Sequence, residues 1–96
     1  MLRLHCTVLA SKDQVSCKLG EEAAILHLGS GVYYSLNAVG ARVWSLLQDP
    51  VAVESLRDRL LGEFDVQRDR LDDDLGRLLD GLAAEGLIEI RDEPVR

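Results

Sequence analysis

The chain has 96 residues, 47% of them apolar and 29% charged, which fits one globular domain with a modest core and excludes a disordered chain. Residues 1–52 balance four acids with four bases, whereas residues 53–96 carry thirteen acids against seven bases and hold all of the net charge of -6. An acidic half repels phosphate backbones and argues against nucleic acid as a partner, but it does not repel a basic peptide.

The start, MLRLHCTVLASKD, has no long apolar run followed by a small-residue cleavage site. Neither a signal peptide nor a membrane span is expected, and the cytoplasm is the expected location. Leu4 to Leu9 reads as a short strand. Gln14 to Leu19 is a clearer one, with Val15, Cys17 and Leu19 alternating against Ser16 and Lys18. Gly20-Glu21-Glu22 turns the chain into a strand over Ala23–Leu28. Gly29-Ser30-Gly31 permits positive φ and turns it again into Val32–Leu36, which is β-branched and aromatic. The strands over 14–19, 23–28 and 32–36 then form an antiparallel meander, with Val32–Leu36 at its edge.

From Asn37, a good N-cap, the period becomes helical. A first helix is expected over Ala38–Gln48, ended by Asp49-Pro50. A second over Val53–Phe64 carries the stripe Val53, Leu56, Leu60, Leu61 and Phe64. A third over Arg68–Glu85 carries Leu71, Leu75, Leu78, Leu79 and Leu82, and Gly86 suits the residue after its end. Leu71, Leu75, Leu78 and Leu82 make one stripe, with Leu79 about a quarter turn away. Leu87–Ile90 reads as a closing strand. The fold class is α+β: a three-stranded antiparallel sheet followed by three helices, close to a winged helix-turn-helix. Residues 1–96 form one domain.

Catalysis finds little support. The chain has no H-E-x-x-H, G-x-G-x-x-G or P-loop, and no nucleophile in a plausible local motif. Asp72, Asp73 and Asp74 point about 100° apart on a helix and cannot converge on one cation. Cys6, Cys17, His5 and His27 lack the close pairing of a zinc site, so no metal or cofactor is expected. A DNA reader needs basic or amide side chains on its exposed first turns. Here the third helix offers Asp69, Asp72, Asp73 and Asp74 against Arg68 and Arg70. An acidic winged-helix regulator contacting DNA or a transcription protein is therefore the secondary reading. The primary one is peptide binding: an open strand edge offers unpaired N–H and C=O groups to an extended peptide.

The run from Leu26 to Trp44, LHLGSGVYYSLNAVGARVW, resembles the signature of the PqqD-like family. Leu71–Ile90 is similar to that family's last helix and exit, and Ser11–Val15 to the approach to its first strand; the resemblance spans about residues 9–90. It implies a recognition element for ribosomally made, post-translationally modified peptides. Such an element binds a precursor leader as an added strand between the third strand of the meander and the third helix. The resemblance points to Val32, Tyr33, Tyr34, Ser35 and Leu36 as the pairing strand. It points to Asp74, Leu75, Arg77, Leu78 and Leu82 as groove residues. Members serving the quinone-cofactor pathway usually carry Asp-Gly after the first helix, where this chain has Gln48-Asp49-Pro50-Val51. The wording is more similar to the stand-alone leader-binding subunit of lasso-peptide pathways. The implied partners are a precursor leader, a leader peptidase and a macrolactam synthetase.

Overall fold

The computed structural model describes residues 4–92. Its elements, in chain order, are β1 (Thr7–Ala10), β2 (Gln14–Leu19), β3 (Glu22–His27), β4 (Tyr33–Leu36), α1 (Ala38–Leu46), β5 (Val51–Ala52), α2 (Val53–Glu63), α3 (Arg68–Ala84) and β6 (Ile88–Arg91). The strands make two three-stranded antiparallel sheets, ordered β2-β3-β4 and β5-β1-β6.

The first sheet is the expected meander. Each turn is dictated locally. Gly31 sits at φ 75°, a backbone state that other residues rarely adopt, and its N–H donates to the His27 carbonyl at 2.8 Å. His27 N–H donates to the Val32 carbonyl at 2.9 Å and closes the hairpin. The inward row of the sheet is Ala23 and Ile25, with Tyr34 opposite Ile25 and Leu36 opposite Ala23. Leu26 and Tyr33 pair on the outer face, and both are exposed.

The second sheet extends the expected layout. The early strand lies at Thr7–Ala10, not Leu4–Leu9, and it joins the last strand instead of the meander. The two-residue β5 falls where the sequence offered only a helix stop. It pairs through Thr7 with Ala52 and through Val8 with Val51. This small sheet ties both ends of the chain to the helices. α2 has no side-chain N-cap. Instead its first amides, Val53 and Glu54, donate to the carbonyls of Cys6 at 2.9 Å and Leu4 at 3.1 Å. The orphan donors of a helix start are thus satisfied by main chain from the other end of the sequence.

α1 begins as its cap residue dictates: Asn37 Oδ1 accepts the Gly40 N–H at 2.9 Å. α3 ends at Gly86, φ 73°, where Leu87 N–H donates to the Leu82 carbonyl at 2.9 Å. The core gathers Val8 and Ile25 from the sheets, Val43 and Leu47 from the α1 region, Leu56 and Leu60 from α2, and Leu82 and Leu87 from the last helix and its exit. Arg57 is buried on α2, its guanidinium directed to Asp58 and, at 3.5 Å, to Asp72 of α3. No helix among the described residues is long and apolar enough to cross a membrane.

α1 and α2 are clasped by a two-pronged ion pair, Arg42 Nε to Glu63 Oε1 at 2.7 Å and a terminal guanidinium nitrogen to Oε2 at 2.9 Å. The Arg42 hydrogen bond holds the Glu63 carboxyl below the usual carboxylate range, with the charge of Arg42 adding to it. A group whose folded pKa is lowered supports the fold above its unfolded value and loses that support as pH falls through the folded one. Glu63→Gln is therefore expected to be less stable than the parent at neutral pH. The difference should shrink as pH falls through and below the ordinary carboxylate range, as read by urea denaturation. A difference that persists unchanged in acid would contradict the assignment.

Candidate peptide-binding cleft

β4 pairs with β3 on one side only, so its other edge is open among the described residues. Beside that edge runs a cleft of about 360 Å³. One wall is β4 and its exit, Tyr34 to Asn37. The opposite wall is α3, presenting Arg70, Leu71, Asp74, Leu75 and Leu78. Val39 and Val43 of α1, Leu60 of α2 and Val66 of the α2–α3 connection complete it. Leu60, Leu71, Leu75 and Val43 are buried and form an apolar floor, whereas Leu78 is half-buried and Val66 is exposed. The rim is charged. Arg70 and Asp74, one turn apart, face each other at 3.9 Å with both side chains in solvent. A main-chain edge above an apolar floor with a charged rim is chemistry for holding an extended peptide.

The structure brings together Tyr34, Ser35, Leu36, Asp74, Leu75 and Leu78 of the sequence-derived candidates. Tyr33 shares the strand but points to the outer face, as strand alternation requires, and is 62% exposed. Val32 precedes β4, and its carbonyl is spent on His27 of the hairpin. Neither Val32 nor Tyr33 lines the cleft, and two of the candidates on α3 do not either. Leu82 is fully buried, because α3 turns it toward the core between α2 and β6. Arg77 lies on the solvent face of α3, where it pairs with Asp73. The expected leucine stripe also shifts: Leu71, Leu75, Leu79 and Leu82 are buried, whereas Leu78, which lines the cleft with Leu71 and Leu75, is only half-buried. Val39, Val66 and Arg70 line the cleft without having been singled out. Val66 breaks a helical pattern, and an apolar residue in a polar connection was the available signal.

The potential metal ligands separate. Cys17 is exposed on β2, and the His27 ring accepts the Ser30 N–H at 3.0 Å within the hairpin turn. His5, Cys6 and Asp92 do converge, within 4.8 Å. Tetrahedral zinc holds its ligand atoms about 3.3–3.8 Å apart. His5 Nε2 and Asp92 Oδ1 are 2.6 Å apart, and the Cys6 thiol donates to the same oxygen at 3.4 Å. The 2.6 Å separation is that of a hydrogen bond and is too short for two ligands of one zinc ion, and the contacts fasten His5 and Cys6 to the residue after β6.

Comparison with known proteins agrees with this geometry. Residues 22–88 match the family model described as coenzyme PQQ synthesis protein D (PqqD). The match covers most of the chain, including β3, β4, all three helices and the residues that line the cleft. The chain therefore belongs to the PqqD family, a family of non-catalytic adaptors. A solved structure, TbiB1 in complex with the TbiA(beta) leader peptide, is similar at 37% identity, with a TM-score of 0.77 over 84% of this chain and 94% of that one. A lasso peptide synthetase B1 complexed with its leader peptide shares the fold at 21% identity, with a TM-score of 0.73 over 85% of this chain and 96% of that one. No curated protein matches the chain.

The two exposures on α3 make a testable contrast. Leu82→Ala should cost about 2–5 kcal/mol of stability, the range for a fully buried leucine. Leu78→Ala should cost clearly less in the same denaturant titration. Equal losses would place Leu78 in the core.

Proposed function

We propose that this protein is the stand-alone leader-binding subunit of a lasso-peptide pathway. It works in the cytoplasm, takes up the leader of a precursor peptide as a strand along β4, and presents the precursor to a leader peptidase and a macrolactam synthetase. The open β4 edge above an apolar cleft carries this reading. Its likeness to TbiB1, which is solved with a leader peptide, supports it.

The energetics divide the work between edge and cleft. Each main-chain hydrogen bond contributes only about 0.5–1.5 kcal/mol net, and any extended sequence can form it. Selectivity then falls to the cleft, where Leu75, Leu78 and Val66 offer apolar surface and the Arg70–Asp74 rim offers charge. The adaptor turns nothing over by itself. Tethering the leader raises the local concentration of the precursor core beside an enzyme docked on the same complex.

Titration of labelled protein with the leader encoded beside its gene should move amide resonances in 33–36 and along the cleft side of α3. Changes confined to the N-terminal residues would contradict strand addition here. Charge reversal separates the two sides of α3. Asp74→Arg should change leader affinity severalfold, whereas Arg77→Asp should change it less than about twofold, both with little effect on melting temperature.

A further inference from the structure

We propose that Gly81 is a positioning residue for leader binding: its bare Cα lets the Tyr34 ring pack against α3 and so limits how far that ring intrudes on the cleft it lines. The inference rests on the leader-binding reading above.

Gly81 sits near the end of α3, three residues after Leu78 and therefore on the side of the helix that borders the cleft. Glycine inside a helix is unfavourable relative to alanine. Gly81 has no positive φ, so no left-handed backbone requires it. The space around it does. A Cβ placed there would stand 2.9 Å from the Tyr34 hydroxyl oxygen and 3.9 Å from Cζ. The first distance is a clash, and the second is ordinary contact. The hydroxyl thus meets α3 at a residue whose missing Cβ leaves room for it.

The ring has one direction in which to yield. Tyr34 is half-buried at the margin of the core, opposite Ile25, which is fully buried. A close-packed core gives no room for the ring to move deeper. An added methyl at residue 81 therefore drives the ring outward, into the cleft that it lines. The hydroxyl is the far end of a side chain, so the swing leaves the fold intact while it narrows the binding cleft. The geometry also names its own rescue. Tyr34→Phe removes the single atom that clashes.

The test uses Gly81→Ala, Tyr34→Phe and the double variant, with a fluorescein-labelled synthetic leader of the precursor encoded beside this chain's gene. In the tyrosine background Gly81→Ala should weaken binding about tenfold, with a melting temperature unchanged or raised. In the phenylalanine background the same substitution should weaken it less than about twofold. Equal losses in both backgrounds, or no loss in the tyrosine background, would overturn the proposal. The free proteins give a second readout. Nuclear Overhauser contacts between the Tyr34 ring and the residue 81 backbone should be present in the parent and lost in Gly81→Ala. Contacts that survive in Gly81→Ala would overturn the proposal as well. Failure of the parent to bind any leader would instead overturn the leader-binding reading, and the ring contacts alone would then decide the position of Tyr34.

Discussion

Everything that this molecule offers a partner depends on one strand edge left unpaired. β4 pairs with β3 and, among the described residues, has no neighbour on its other side. Such an edge is a liability in a free protein, because it invites indiscriminate pairing. Here it is short, four residues, and it is sheltered by α3 across a narrow cleft. A strand that enters must fit between main chain and helix. That double requirement converts a generic hydrogen-bonding edge into a selective one.

The rest of the fold keeps that edge open and α3 in place. β1 does not cover β4, because it lies between β5 and β6 in a second sheet. This sheet joins the two ends of the chain, with Cys6 and Leu4 capping α2 and His5 and Asp92 closing the far side. α3 is then anchored on three fronts: by its leucines in the core, by Arg57 reaching Asp72, and by the return through Gly86 into β6. One wall of the cleft is thus held from several sides, and the opposite wall belongs to a hairpin whose turn is shaped by Gly31 and by the His27 ring. The outer face of α3 is dominated by carboxylates, with Arg77 paired to Asp73, and this acidic balance is the opposite of what a DNA reader presents to phosphates.

Local chemistry was legible in the sequence, and pairing between distant segments was not. Asn37, Gly31 and Gly86 announced a cap, a hairpin and a helix end, because each acts within four residues of itself. The meander and its edge followed from alternation and short turns. The second sheet did not, since a two-residue strand at Val51–Ala52 has no period to detect and β1 pairs with β6 across some eighty residues. On α3 the periodicity identified the leucines but not their facing. A stripe of four and three steps admits either Leu78 or Leu79, and only the packing of α2 and β6 turns Leu79 inward and leaves Leu78 beside the cleft. The same rotation buries Leu82 and carries Arg77 into solvent. The close approach of Tyr34 to Gly81 is likewise a product of packing, with no trace in spacing or composition.

Strand addition along β4 has a signature that no other mode of peptide binding shares. In a strand, alternate main-chain amides face the neighbouring strand and the intervening ones face away. The most direct measurement is a scan of the leader in which one amide at a time is N-methylated, with binding to this protein read by fluorescence anisotropy. Pairing with β4 requires a loss of about tenfold or more at alternate residues and near-parent binding between them. A scan without that two-residue period, or one in which N-methylation is tolerated throughout, would show that the leader is held by side chains alone and that the open edge of β4 is not its binding site.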